Sequence, residues 1–298
     1  MAPFYPVVLI KEIQAKKVLT FHPDAFPTNW DLNPYRGCTI GCKYCFAQYS
    51  HKYLGLDDFY KDILVKTNVS ESLEKELSQK KWNGSQIKIG GTTDLYQHLE
   101  KKYELLPKIY SVIKRHKNPV FIQTKSTLIL RDFEILKELS EITSVDIATS
   151  ITTFDESIRK IIEPGASPTI ERLEMLAKFN GICRSTTLGF MPIIPLISDT
   201  DENLETVFRL AKAYGIDNVV TSILFLMGDV KTKFLSLIKL HFPEIHLDFA
   251  KLYTTSSNDP VYAQKTNLKI KALREKYQVF GVYKPVETNV QPVQLSLF

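Results

Sequence analysis

The chain has 298 residues, enough for one large α/β barrel or two small domains. Its 44% hydrophobic and 24% charged content is ordinary for a globular protein, and no run of 18 apolar residues offers a membrane-spanning helix. A net charge of +5 is compatible with a phosphate-bearing partner without requiring one.

The N-terminus has no basic segment ahead of its short apolar patch and no small-residue cleavage site, so it does not read as a signal peptide. Residues 1–30 read as an extended arm, with a strand-like run Val7–Ile10 followed by Pro23, Pro27 and Trp30. Trp30–Tyr35 then reads as a first strand, and a cysteine-bearing loop follows it. From there strand and helix patterns alternate, the sign of βαβ units around a parallel sheet. The expected strands are Ile87–Gly91, Pro119–Thr124, Val145–Ile151, Arg184–Ile194 and Asn218–Phe225. The expected helices are Tyr103–His116, Phe133–Glu141 with Asp132 as its cap, Thr169–Phe179 and Asp201–Tyr214. Apolar residues Ile170, Leu173, Leu176 and Ala177 give Thr169–Phe179 a buried face. After Met227 two further helices are expected, Val230–His241 and Tyr262–Tyr277. The division expected is an arm (1–30), a barrel (31–228), an extension packed on the barrel (229–290) and a tail (291–298).

The loop Asn33–Phe46, NPYRGCTIGCKYCF, holds Cys38, Cys42 and Cys45 in a C-x3-C-x2-C spacing. Such a loop can wrap a cubane so that each thiolate holds one iron and the fourth iron stays open to a small molecule. A structural zinc site wants four closed ligands, and His51 and Cys183 stand at the wrong spacing to complete one. Three clustered cysteines out of four also argue against a disulfide framework and for a reducing, cytoplasmic setting.

This spacing, with Tyr44 ahead of the last cysteine, resembles the signature of radical S-adenosylmethionine (SAM) enzymes. The wider stretch NPYRGCTIGCKYCFAQ resembles their spore photoproduct lyase-like, DNA-repair-photolyase branch. The resemblance implies an α/β fold, a partial (β/α)6 TIM-type barrel whose open side suits a large substrate. It implies a [4Fe-4S] cluster on Cys38, Cys42 and Cys45, SAM chelated at the open iron, and an external electron donor. Reductive cleavage of SAM would release a 5′-deoxyadenosyl radical that abstracts hydrogen from the substrate.

Further segments carry the resemblance. KIGGTTDLYQHLE places Gly90, Gly91, Thr92 and Asp94 at a strand end, where glycines admit a ligand to the backbone and a carboxylate can hold an amine. Leu95 and His98 stand where family members often have proline. TKSTLILRD sets Lys125 at the barrel top, where an ammonium can meet a carboxylate or phosphate, and leaves Arg131 and Asp132 structural. SITT and EPGASP place Ser150 as a donor to the SAM carboxylate, with Ala166-Ser-Pro168 slightly altered from the family turn. MPIIP puts Met191 against the adenine, and Leu196 replaces the usual glycine. The lyase needs a cysteine to return hydrogen to its substrate. Cys183, at a strand start opposite the active face, reads as a core thiol, which leaves Tyr44 and Tyr96 as radical-relay candidates.

The last residues, Gln294–Phe298 (QLSLF), match the bacterial sliding-clamp-binding pentapeptide, with Leu295, Leu297 and Phe298 as apolar anchors. The leading reading is therefore a radical SAM enzyme acting on DNA. Radical chemistry on tRNA, a peptide or a small molecule is a second. A clamp-associated DNA-binding protein with a structural or redox-sensing cluster is a third.

Overall fold

The protein is described here from a computed structural model covering residues 9–23, 28–281 and 286. Val7 and Val8 of the first apolar run, and the whole of Gln294–Phe298, lie outside the described residues.

The chain begins with β1 (Leu9–Ile13) and β2 (Leu19–Phe21), then β3 (Trp30–Leu32) and the short β4 (Tyr35–Arg36). The cysteine loop runs into a 3-10 segment, Phe46–Leu54, followed by β5 (Asp62–Lys66) and α1 (Val69–Leu77). Next come β6 (Ile87–Ile89), α2 (Glu100–Tyr103), α3 (Leu105–His116), β7 (Val120–Gln123) and α4 (Phe133–Ser140). β8 (Val145–Ser150), α5 (Glu156–Ile162), α6 (Thr169–Ala177), β9 (Ser185–Ile193), α7 (Asp201–Ala213) and β10 (Asn218–Ile223) complete the alternation. Three helices end it: α8 (Gly228–His241), α9 (His246–Leu252) and α10 (Pro260–Tyr277).

The large sheet runs β10-β9-β8-β7-β6-β3-β2, with β2 antiparallel on β3 and every other pairing parallel. β10 and β2 are its two edges, so the sheet is an open, partial (β/α)6 barrel. A smaller sheet, β1-β5-β4, packs beside it. Every residue of β8 is buried, as a central parallel strand covered on both faces requires. Its one carboxylate, Asp146, is matched by Arg184, Ser185 and Gln86. α3 buries Leu105, Leu106, Ile109, Tyr110, Val112 and Ile113, one continuous stripe at 3–4 spacing, against the sheet. α10 buries only Thr266 and Ile270 and is tied to α7 by ion pairs Lys269–Asp201 and Lys276–Glu205. No helix among the described residues is long and apolar enough to cross a membrane.

Several expectations shift. β3 stops at Leu32, and Tyr35 joins β4 instead, because the chain turns at Asn33-Pro34 to start the smaller sheet. The expected helix Tyr103–His116 is broken at Glu104, which adopts a left-handed φ of 46°. In α6 Ile170 is exposed, and Arg172 is fully buried because it faces a carboxylate at the barrel top. Asp132 sits at the start of α4 without capping it; its side chain is taken by Arg131 and the Tyr96 hydroxyl. Leu196, in place of the family's glycine, carries a φ of 62°, the conformation that a glycine would supply there without strain.

Glu100 joins the small sheet to the barrel. Fully buried, it accepts from the Tyr35 hydroxyl, from the backbone N–H groups of Leu105 and Leu106, and from Arg131. Removing it strands those donors and half of an ion pair. Glu100→Ala is expected to cost about 3 kcal/mol, read from the urea midpoint of the unfolding curve; a variant as stable as wild type would contradict this account of the junction.

Candidate functional site

The cysteine loop is shaped by its glycines. Gly37 and Gly41, each just ahead of a cysteine, hold φ values of 82° and 74°. A Cβ on Gly37 would also lie 2.7 Å from the Asp62 carbonyl. The backbone is then fastened on several sides. Cys38 N–H donates to the Phe59 carbonyl (3.1 Å), Thr39 N–H to Gln97 Oε1 (2.9 Å) and Gly165 N–H to the Ile40 carbonyl (2.8 Å). The Tyr60 hydroxyl donates to the Cys42 carbonyl at 2.6 Å. Cys38 and Cys42 are buried and Cys45 is half-buried.

A cavity of about 260 Å³ opens above the strand ends. It is lined by Cys38, Cys42 and Cys45, by Gly90, Gly91, Thr92 and Asp94 after β6, by Lys125 after β7, by Ser150 at the end of β8 and by Met191 in β9. All the metal- and cofactor-binding residues expected from the sequence thus face one space. Lys88, Gln123 and Phe46 also line it, and the motif reading gave them no role. Tyr44 and Tyr96 do not. Tyr96 is buried and its hydroxyl donates to Asp132 (3.0 Å) beside Tyr110 (3.0 Å). Cys183 packs at the rim of the main core, its sulfur 3.4 Å from the Ser140 hydroxyl, with burial pushing the thiol up to about 11.

Around the cavity the electrostatics centre on Glu163, a residue of the EPGA turn that sequence reasoning quoted without a role. It is fully buried and accepts from the Tyr44 hydroxyl and from Thr152 Oγ1 (3.0 Å). Lys125 Nζ lies 3.3 Å from its Oε1, and Arg172 Nη2 lies 3.0 Å from its Oε2. Lys125 also donates to Ser150 Oγ, and Arg172 to the Ser150 carbonyl. Burial alone would raise the Glu163 carboxyl, but the two cations and two hydroxyl donors hold it at about 2. Asp94 accepts from Thr124 Oγ1 and from the N–H groups of Lys125 and Tyr96, while burial pushes its carboxyl up.

The donor set fits an iron–sulfur cluster better than a single ion. Burial pushes each of the three thiols up to about 12, so thiolate character has to come from bound metal. Among the described residues no group of three His, Cys, Asp or Glu side chains converges to hold one ion. Three thiols spread around one cavity match a cubane, whose irons are bound separately.

Residues 32–240 match the profile of the Radical SAM superfamily. The chain belongs to the radical SAM superfamily. Its members use a [4Fe-4S] cluster and SAM. An uncharacterized Mycobacterium tuberculosis protein is 29% identical over 307 residues, spanning 100% of this chain and 90% of its own length. An uncharacterized Methanocaldococcus jannaschii protein is 29% identical over 195 residues, 64% of this chain and 70% of its own. Among solved structures, a spore photoproduct lyase variant superposes with a TM-score of 0.66 at 14% identity, covering 92% of this chain and 82% of its own. Streptococcus suis SuiB bound to its precursor peptide SuiA gives 0.54 at 14% identity, covering 92% and 48%. The fold is therefore that of a radical SAM enzyme of the spore photoproduct lyase type.

Glu163 makes the stability of this radical SAM barrel pH-dependent in a set direction. Its folded value near 2 lies below the ordinary 4.5, so its contribution is present above pH 4.5 and fades as pH falls toward 2. Glu163→Gln is expected to lose about 3 kcal/mol at pH 7, with the gap from wild type closing between pH 4.5 and 2 in denaturant unfolding. A gap that stays constant with pH would contradict this assignment.

Proposed function

We propose that this chain is a radical SAM enzyme that repairs a lesion in DNA by lyase-like chemistry. The observation that carries it is the convergence of three cysteines, the Gly90–Asp94 turn, Lys125, Ser150 and Met191 on one cavity at the strand ends of an open barrel. Active sites of β/α barrels form on that face. The likeness to a spore photoproduct lyase solved with a dinucleoside spore photoproduct supports the choice of substrate.

Each residue then has a task. Cys38, Cys42 and Cys45 hold the cluster, which together with SAM supplies a 5′-deoxyadenosyl radical when reduced by an external electron donor. Gly90 and Gly91 admit SAM to the backbone, while Thr92 and the Asp94 carboxylate take its amino group. Lys125 and Ser150 meet its carboxylate, and Met191 packs against its adenine. Glu163 holds the Lys125 ammonium in place, and through Tyr44 it fixes the cysteine loop against α5 and α6. The buried walls exclude water from the radical. Tyr44 and Tyr96 serve as relays only if their hydroxyl partners release them, so hydrogen return to the substrate falls to another group. The tail Gln294–Phe298 would bring the enzyme to the sliding clamp at sites of DNA synthesis.

A second reading, chemistry on a peptide, draws on the cavity beside the cysteine loop. That space, about 360 Å³, is lined by Phe46, Tyr49, Phe225 and Met227 together with Asp57, Asp58 and Asp229 and the cation Lys233, so carboxylates outnumber ammonium groups on its wall. An apolar pocket with carboxylates suits a cationic segment better than a phosphate backbone.

After anaerobic reconstitution, incubation with SAM and dithionite is expected to yield 5′-deoxyadenosine, raised about tenfold or more by UV-irradiated DNA, with Cys42→Ala as the inactive control. Product indifferent to DNA but raised by basic peptides would transfer the site to the second reading.

A further inference from the structure

Two polar side chains on the wall of the SAM cavity are not among those proposed to hold the cluster or SAM. Lys88, in the middle of β6, and Gln123, at the end of the neighbouring β7, both line the space bounded by the three cysteines. Ile87, Ile89 and Ile122 belong to the main hydrophobic core on the other face of the sheet, so strand alternation turns Lys88 and Gln123 into the lumen. The Lys88 backbone is paired on both sides, to Asp31 of β3 and Phe121 of β7, so it is the side chain that borders the cavity. Gln123 stands one pleat higher, level with Gly90: a Cβ on that glycine would lie 3.1 Å from the Gln123 carbonyl oxygen. Among the described residues neither the Lys88 ammonium nor the Gln123 carboxamide has a hydrogen-bond partner or an ion pair, and neither polar end is sealed inside the protein.

We infer that Lys88 and Gln123 are specificity-determining residues that read the edge of an extruded nucleobase, Lys88 Nζ donating to a ring carbonyl and the Gln123 carboxamide pairing with the position beside it. The inference rests on the DNA reading above and names which bases enter. The carboxylate of SAM is assigned to Lys125 and Ser150 and its amino group to Thr92 and Asp94, so only the ribose hydroxyls of SAM compete for this pair. An ammonium only donates, whereas a carboxamide donates and accepts in one plane. Together they fit a carbonyl oxygen next to a ring nitrogen. Thymine, cytosine and guanine present that arrangement on the Watson–Crick edge, the edge by which extruded bases are read. Adenine has no carbonyl and turns an amino group, another donor, to the same side. A phosphate offers no donor to the carboxamide oxygen. A trans peptide group carries its C=O and N–H on opposite sides, so it serves one of the two residues at a time. Burial works against the Lys88 ammonium, and the charge of Asp31, its register partner beneath Gly91, works for it.

The test measures anaerobic binding of UV-irradiated single strands of thymidine, deoxycytidine and deoxyadenosine, equal in length, to the cluster- and SAM-loaded protein, for wild type, Lys88→Met and Gln123→Leu. Phosphate contacts are common to the three strands, so the ratio between them isolates the base. Wild type is expected to prefer the thymidine and deoxycytidine strands about tenfold. Each variant is expected to lose that preference and to bind the deoxyadenosine strand as wild type does, with its cluster iron content, circular dichroism and paramagnetic response to SAM retained. Variants that weaken on all three strands alike, or that lose the response to SAM, overturn the inference, because the residues would then be structural, phosphate or SAM contacts. A wild type without preference, or variants that keep it, overturns the reading pair and leaves the DNA reading standing. Wild-type protein that binds basic peptides and none of the strands overturns both.

Discussion

The barrel top depends on one buried carboxylate. Glu163 receives a tyrosine from the cysteine loop, a threonine from the end of β8, a lysine from the end of β7 and an arginine from α6. A carboxylate with no exposure is sustainable only when its charge is matched, and here two cations and two hydroxyl donors share that work. The same arrangement carries a functional consequence. Tyr44 lies between Cys42 and Cys45, so the position of two of the proposed cluster ligands is coupled to the position of the Lys125 ammonium.

Around that hub the open sheet supplies a floor and walls. The parallel strands end together, and the loops after β6, β7 and β8 add glycine backbone, a carboxylate, an ammonium and a hydroxyl to a space already bounded by thiols. The lumen beneath is not apolar throughout. Asp31 and Lys88 on neighbouring strands put charge where a packed barrel would place branched aliphatics.

Much of this was legible in the sequence. The alternation of strand and helix, the cysteine spacing and the strand-end motifs led to an open barrel and to residues that line one cavity. Local pattern failed where a tertiary partner decides. Nothing local says that Arg172 rather than Ile170 turns inward on α6, because the reason is a carboxylate on the turn before that helix. Asp132 has the right residue type for a cap, yet a stronger claim from Arg131 and Tyr96 removes it. Tyr60 reaches the Cys42 carbonyl from a segment that carries no motif. Asp31 and Lys88 are far apart in the chain, and only the sheet register brings them side by side.

The central claim is that Cys38, Cys42 and Cys45 hold a cluster whose open iron faces the residues proposed for SAM. Electron paramagnetic resonance of the reduced, reconstituted protein, recorded with and without SAM, tests it most directly. The account predicts a cluster signal that changes on adding SAM in wild type and no longer does so in Lys125→Ala. A fully loaded cluster whose signal is indifferent to SAM in the wild-type protein would contradict it.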